Sequence, residues 1–129
     1  MIAADTSSLS NFLKREGTAD ADLVRKALTD GTLVLSPVVV SELFSSPNMT
    51  DALKAAIQDV PVLDLLAGFW ERVGNNRAAL LRAGKKARLA DSMIATCCLD
   101  HNIPIIARDS DYRHFSEHFG LVVHSGIAG

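Results

Sequence analysis

Two aspartates of this chain, Asp5 and Asp109, each come at the end of an apolar segment, Ile2-Ala3-Ala4 and Pro104-Ile105-Ile106-Ala107 respectively. A third, Asp91, falls in the first turn of an apolar stretch, flanked by Leu89, Ala90, Met93 and Ile94, and Glu42 stands between Val40 and Leu43. Taken singly, an Asp at a strand end or helix start is an ordinary cap or turn residue, and a carboxylate in a first helical turn complements the dipole. Glu42 is harder to explain alone, since burying a carboxylate among apolar residues is costly unless it is paired or bound to a cation. Gathered in one cleft, the four would repel: two carboxylates about 4 Å apart do so by roughly 4 kcal/mol at an effective dielectric near 20. Something positive must offset that. Hard oxygen ligands without paired His or Cys select Mg²⁺ or Mn²⁺, and two such ions about 3.5 to 4 Å apart serve the hydrolysis of phosphodiesters.

The elements that would have to gather these acids alternate between strand and helix. Ile2-Ala3-Ala4 reads as a short strand, followed by a helix capped by Ser7 or Ser8 and carrying Leu9, Phe12 and Leu13. A second helix is expected over 19–29, closed by Gly31, and Leu33-Val34-Leu35 is a buried strand. Ser36 followed by Pro37 is an N-cap with Pro at the first helical position, which makes helix of the stretch through Phe44 despite three valines. Helices over 51–59, 67–82 and 89–99, short strands at 62–63, 104–107 and 121–123, and a last helical turn at 111–115 complete the pattern. Strands alternating with helices imply an α/β domain of three layers, α/β/α, around a mostly parallel sheet. In such sheets, sites gather beyond the carboxyl ends of the strands, where Asp5 and Asp109 fall by construction.

The 129 residues fit one domain, expected over 1–124 with a short tail at 125–129. An apolar content of 48% provides for a core without disulfide or metal staples, and a net charge of -2 excludes a polycationic nucleic-acid coat. Any nucleic-acid contact must come from a local patch. No apolar run approaches the roughly 18 residues of a membrane span, and the N-terminus lacks the pattern of a secretory signal, so a cytoplasmic location is expected. The adjacent Cys97 and Cys98 lack the spacing of zinc or redox pairs.

The chain resembles the PIN-domain ribonucleases, and within them the VapC-type toxins of bacterial toxin-antitoxin pairs. The likeness rests on four motifs: Asp5-Thr6-Ser7, Val40-Ser41-Glu42-Leu43, Ala90-Asp91-Ser92-Met93-Ile94-Ala95 and Ala107-Arg108-Asp109-Ser110-Asp111-Tyr112. Each motif is weak alone, but in this order and spacing they cover nearly the whole chain. The resemblance implies a Mg²⁺- or Mn²⁺-dependent endoribonuclease with Asp5, Glu42, Asp91 and Asp109 as its acidic cluster. Asp5 and Asp91 would hold the principal ion, Asp109 would add to it directly or through water, and Glu42 would orient the attacking water or a second ion. Ser7 is implied as a supporting polar residue and Asp111 as a substitute or helper for Asp109. The resemblance also implies a homodimer and a cognate antitoxin, whose C-terminal segment lies in an apolar groove; Leu9, Phe12, Phe44 and Met49 offer compatible surface.

Beyond the acids, Arg77, Arg82, Lys85, Lys86 and Arg88 concentrate positive charge just before Asp91, and Arg108 adjoins Asp109. They read either as a solvated face or as a rim for RNA phosphates. His114 and His118 are four apart but lack a third metal ligand, and Tyr112, Phe115 and Phe119 read as packing residues. Trp70, with Phe69, Leu65 and Leu66, reads as core or subunit interface. The rival reading is an RNA- or partner-binding module of the same fold that binds metal without turnover. A phosphoacceptor signalling domain needs an acidic pair near the first strand and a late Lys, and Asp5-Thr6-Ser7 with Arg108 supplies neither.

Overall fold

The computed structural model describes residues 1–126, apart from the side chain of Asp109. Among the described residues the chain forms four strands and seven helices: β1 (Ile2–Ala4), α1 (Thr6–Leu13), α2 (Ala19–Asp30), β2 (Leu33–Val34), α3 (Pro37–Phe44), α4 (Asp51–Ile57), α5 (Phe69–Arg82), α6 (Leu89–Asp100), β3 (Ile105–Ile106), α7 (Asp109–Phe119) and β4 (Val123–His124). The strands make one sheet in the order β2-β1-β3-β4, and every pairing is parallel. Helices flank this sheet in a three-layer α/β/α arrangement, as the alternation of elements requires.

Parallel pairing puts all four carboxyl ends on one edge. Order along the sheet reverses at β1, whose chain continuation β2 lies to one side and whose other neighbour is β3. That reversal opens a crevice beyond the strand ends, the place where open α/β sheets receive ligands. The register makes the placement exact to the residue: Ala4 pairs with Ile106, and the Asp5 N–H donates to the Ile106 carbonyl at 3.0 Å. Asp5 therefore stands beside the chain entering α7.

Local chemistry explains where the helices begin and end. The Ser36 hydroxyl caps α3 by accepting from the Val38 N–H, with Pro37 at the first helical position, so the three valines are carried in a helix. Gly31 ends α2 in the left-handed conformation that L side chains avoid. The core joins the sheet (Ala3, Ala4, Val34, Ile105, Ile106) to Leu9, Val24, Val39, Leu80, Ile94 and Tyr112 of the covering helices. Cys97 and Cys98 are both buried and free, as small helix residues.

Four expectations change. The last strand, expected at 121–123, is formed by Val123–His124, the residues that pair with Ile105 and Ile106. The helical turn at 111–115 is a helix of full length, Asp109–Phe119, because Tyr112, Phe115 and Phe119 stack along its inner face and supply the burial its polar residues lack. The strand at 62–63 reduces, among the described residues, to a single parallel bridge, Leu35 to Val62, with Val62 exposed rather than buried in a sheet. At the C-terminus, Ser125 is buried, and a Cβ on Gly126 (φ +77°) would come within 2.8 Å of the Ala19 carbonyl oxygen, so these two residues pack against the start of α2. The rest of the expected tail lies outside the described residues.

Adjacent leucines of α5 give a direct test of the core. Leu80 is fully buried while Leu81 is exposed. Leu80→Ala should cost about 2 to 5 kcal/mol in urea unfolding, and Leu81→Ala should cost less than about 1 kcal/mol. Equal costs would refute the orientation of α5.

Candidate active site

The crevice at the β1/β3 edge is a cleft of about 460 Å³. Asp5, Glu42, Asp91 and Asp111 line it, with Lys86 and Arg88 as the cations. Four separate parts of the chain supply these acids: the β1–α1 junction, α3, α6 and α7. The side chain of Asp109 lies outside the described residues, while Asp111, two positions later, faces the cleft.

Asp5 is the buried member, 4% exposed, and it is fixed by its own helix. It is the N-cap of α1, and its Oδ1 accepts from the Ser8 N–H at 2.8 Å. Burial pushes the Asp5 carboxyl up to about 6 against the pull of the Ser8 hydrogen bonds, and the nearby charges of Asp111 and Asp20 push the same way. Asp91 is also raised, first by burial and then by Asp111 and Glu42, against the opposing pull of Arg88. The Tyr112 hydroxyl beneath them is raised by burial and by Asp5 and Asp91. These mutual effects are the electrostatic sign of convergence: acids distant in sequence sit in one field.

Glu42 departs from its expected environment. It is exposed rather than buried, because Val39 and Leu43 take the inner face of α3 and leave the mouth of the cleft to Glu42. Its partner is the Thr6 hydroxyl, which donates to Glu42 Oε1 at 2.6 Å. Thr6 was not singled out in the sequence, where Ser7 was expected to support the acids; Ser7 lines the cleft as well. No local signal pairs residues 6 and 42, since the contact depends on α1 and α3 packing together.

Asp20 is a second acid the sequence did not single out. It is buried, 3% exposed, in the first turn of α2. The Asn11 amide donates to its Oδ2 at 3.1 Å, and Arg108 Nε lies 3.9 Å away from the same oxygen. Burial raises Asp20, but the polar groups of Thr18, Ser8, Asn11 and the Ala21 N–H outweigh it and hold the carboxyl below its ordinary range. It thus forms a negative anchor behind Asp5 that reaches the chain entering α7.

The basic residues divide by role. Lys86 and Arg88 line the cleft. Arg77 Nε donates to the Ala87 carbonyl at 2.8 Å and so grips the loop between them. Arg82, Lys85 and Arg108 are exposed outside the cleft lining among the described residues. His114 also lines the cleft, whereas His118 Nδ1 is engaged with the His114 carbonyl oxygen at 3.1 Å. The two do not act as a metal pair.

The donor set, carboxylate oxygens, is of the kind a hard divalent cation takes; Asp5 and Asp91 have raised proton affinity, and among the described residues no ion pair engages Asp5, Glu42 or Asp91. Among the described residues, no three His, Cys, Asp or Glu side chains are grouped closely enough to hold a metal ion between them.

The burial of Asp5 sets a sign for stability against pH. Its folded carboxyl holds a proton more tightly than the unfolded one, from 3.8 to about 6. The stability it contributes is present below pH ~4 and is lost as pH rises through about 6, by roughly 3 kcal/mol. In EDTA, Asp5→Asn, which keeps the cap acceptor without the charge, should be more stable than the parent at pH 7.5 by about 1 to 3 kcal/mol. The two should converge near pH 4. Urea unfolding at both pH values measures this, and an Asn variant no more stable at pH 7.5 would disprove the charge strain.

The profile of the PIN domain family matches residues 2–117. The fold is also that of solved toxin-antitoxin complexes. VapBC2 from Rickettsia felis, solved bound to a DNA fragment from its promoter, aligns at a TM-score of 0.73 with 16% identity, covering 96% of this chain and 98% of that one. DNA-bound VapBC from Salmonella typhimurium aligns at 0.73 with 18% identity over 98% of each chain. FitAcB from Neisseria gonorrhoeae aligns at 0.70 with 18% identity, again over 98% of each. At these identities the likeness establishes the fold. No curated protein matches the chain by sequence. Since the profile spans residues 2–117, with all four acidic motifs inside it, the chain belongs to the PIN domain family.

Proposed function

We propose that the protein is a Mg²⁺- or Mn²⁺-dependent endoribonuclease and the toxin of a toxin-antitoxin pair. The observation that carries this reading is the convergence of Asp5, Glu42, Asp91 and Asp111 on one cleft, two of them with raised proton affinity. Asp5 and Asp91 would hold the cation, with Asp109 completing the set and Asp111 assisting. When bound, a divalent cation supplies the positive charge that offsets the clustered acids, eases ionisation of a water and stabilises the leaving oxygen. The chain's own part is positional. Glu42, held by Thr6, would orient the attacking water or a second ion. Lys86 and Arg88, which line the same cleft, would receive the phosphates of the RNA. Arg82, Lys85 and Arg108 extend the positive rim outside it, and Arg77 acts by bracing the loop.

The antitoxin has a candidate seat. A groove of about 590 Å³ between α1, α2 and α4 is lined by Phe12, Leu13, Ala21, Leu53 and Ala56, with Arg15 and Arg25 at its margin. Its shape and apolar lining suit an amphipathic segment. Of the four residues expected to face such a partner, Phe12 lines the groove and Phe44 is exposed beneath Lys54, but Leu9 is fully buried in the core and Met49 packs against it. A homodimer is the matching reading for Val62, Leu65, Leu66 and Trp70, which are exposed large hydrophobics close together in the chain.

Purified protein should cleave single-stranded RNA with Mg²⁺ or Mn²⁺ and stop on addition of EDTA. Asp5→Asn, checked for folding, should lower the rate on the order of 100-fold or more. The rate should fall on acidification, and the fall should move to lower pH as the cation concentration is raised, because protons and the cation compete for Asp5. RNA bound but uncut under all these conditions would favour the binding-module reading instead. Separately, Leu53→Glu should abolish co-purification with the antitoxin while leaving cleavage intact. Retained co-purification would move the partner's seat elsewhere.

A further inference from the structure

The α7 wall of the cleft contributes Ser110, Asp111, Tyr112, His114 and Phe115. Tyr112 and Phe115 are buried, and Asp111 is an acid that repels phosphate. An RNA strand held by Lys86 and Arg88 from another element therefore meets few donors on α7, and His114 is one of them.

Hydrogen bonding fixes which nitrogen of His114 bears its proton. A carbonyl oxygen only accepts, so His118 Nδ1, at 3.1 Å from the His114 carbonyl, carries a proton. His114 is the opposite case. Its Nδ1 is buried with no hydrogen-bond partner among the described residues. Burying an N–H without an acceptor is costlier than burying a bare lone pair, so the His114 proton belongs on Nε2. With the proton there, Nε2 is the nitrogen through which the ring donates.

We propose that His114, in its Nε2–H form, binds the RNA backbone by donating to a non-bridging phosphate oxygen of a strand lying in the cleft. A phosphate oxygen is acceptor-only and so complements a lone N–H, whereas base edges present mixed groups. This inference rests on the nuclease reading and adds a substrate contact to it.

The test uses a short fluorescent single-stranded RNA and the full chain carrying Asp5→Asn, so that binding is read without cleavage. Added to that background, His114→Ala should weaken binding about tenfold, the size of a hydrogen bond to a charged group. His114→Gln places an amide N–H at the ε position and should bind within about twofold of the background. His114→Asn places its donor at the δ position and should bind like the Ala variant. In the chain with Asp5 intact, His114→Ala should raise KM and leave kcat within about threefold. Melting curves verify folding, and the Gln and Asn pair decides the matter if the Ala variant unfolds. Unchanged binding in the Ala variant, rescue by Asn equal to Gln, or no rescue by Gln each overturns the role of His114 while cleavage by the parent leaves the nuclease reading standing. A parent that neither binds nor cuts RNA overturns both.

Discussion

The constraint on which this structure turns is electrostatic. Carboxylates from four parts of the chain are held in one cleft, and Asp5 is held there nearly without solvent. Water, the usual remedy for such repulsion, is largely removed, and the partners left to Asp5 are the Ser8 hydrogen bonds. The strain is carried by the sheet. Parallel pairing of β1 with β3 and the Asp5 N–H bond to Ile106 fix the backbone, and a backbone so fixed cannot move the charge back to solvent. Proteins store strain of this kind where function requires it.

Around that centre the supporting contacts fall into layers. Thr6 orients Glu42 at the mouth, and Asp20 with Asn11 and Arg108 stands behind Asp5. The aromatic row of Tyr112, Phe115 and Phe119 seats α7, and with it Asp111 and His114, on the core. The apolar groove between α1, α2 and α4 opens elsewhere, so occupation of the groove and occupation of the cleft engage different residues.

Much of this was legible in the sequence because it is local. Gly31 and the pair Ser36-Pro37 mark helix boundaries through backbone conformation and capping, which neighbours in the chain decide. The position of Asp5 followed from an apolar strand and the topology rule for parallel sheets. What could not be read depends on how helices meet. Thr6 rather than Ser7 reaches Glu42 because of the rotation of α1 against α3, and Asp20 is buried because α1 and α2 close over it. The length of α7 was underestimated since its stability comes from stacking on the core rather than from its many polar residues. Glu42 was expected inside because its neighbours are apolar, but a helix with only one buried face leaves the next residue in solvent.

The grip of Arg77 on the Ala87 carbonyl has one more implication. Lys86 and Arg88 stand on either side of that carbonyl, on a stretch whose path is set by a guanidinium from α5 and owes nothing to the carboxylates. Because the bond that Arg77 makes is to backbone, the stretch carrying positions 86 and 88 keeps its path whatever side chains stand there.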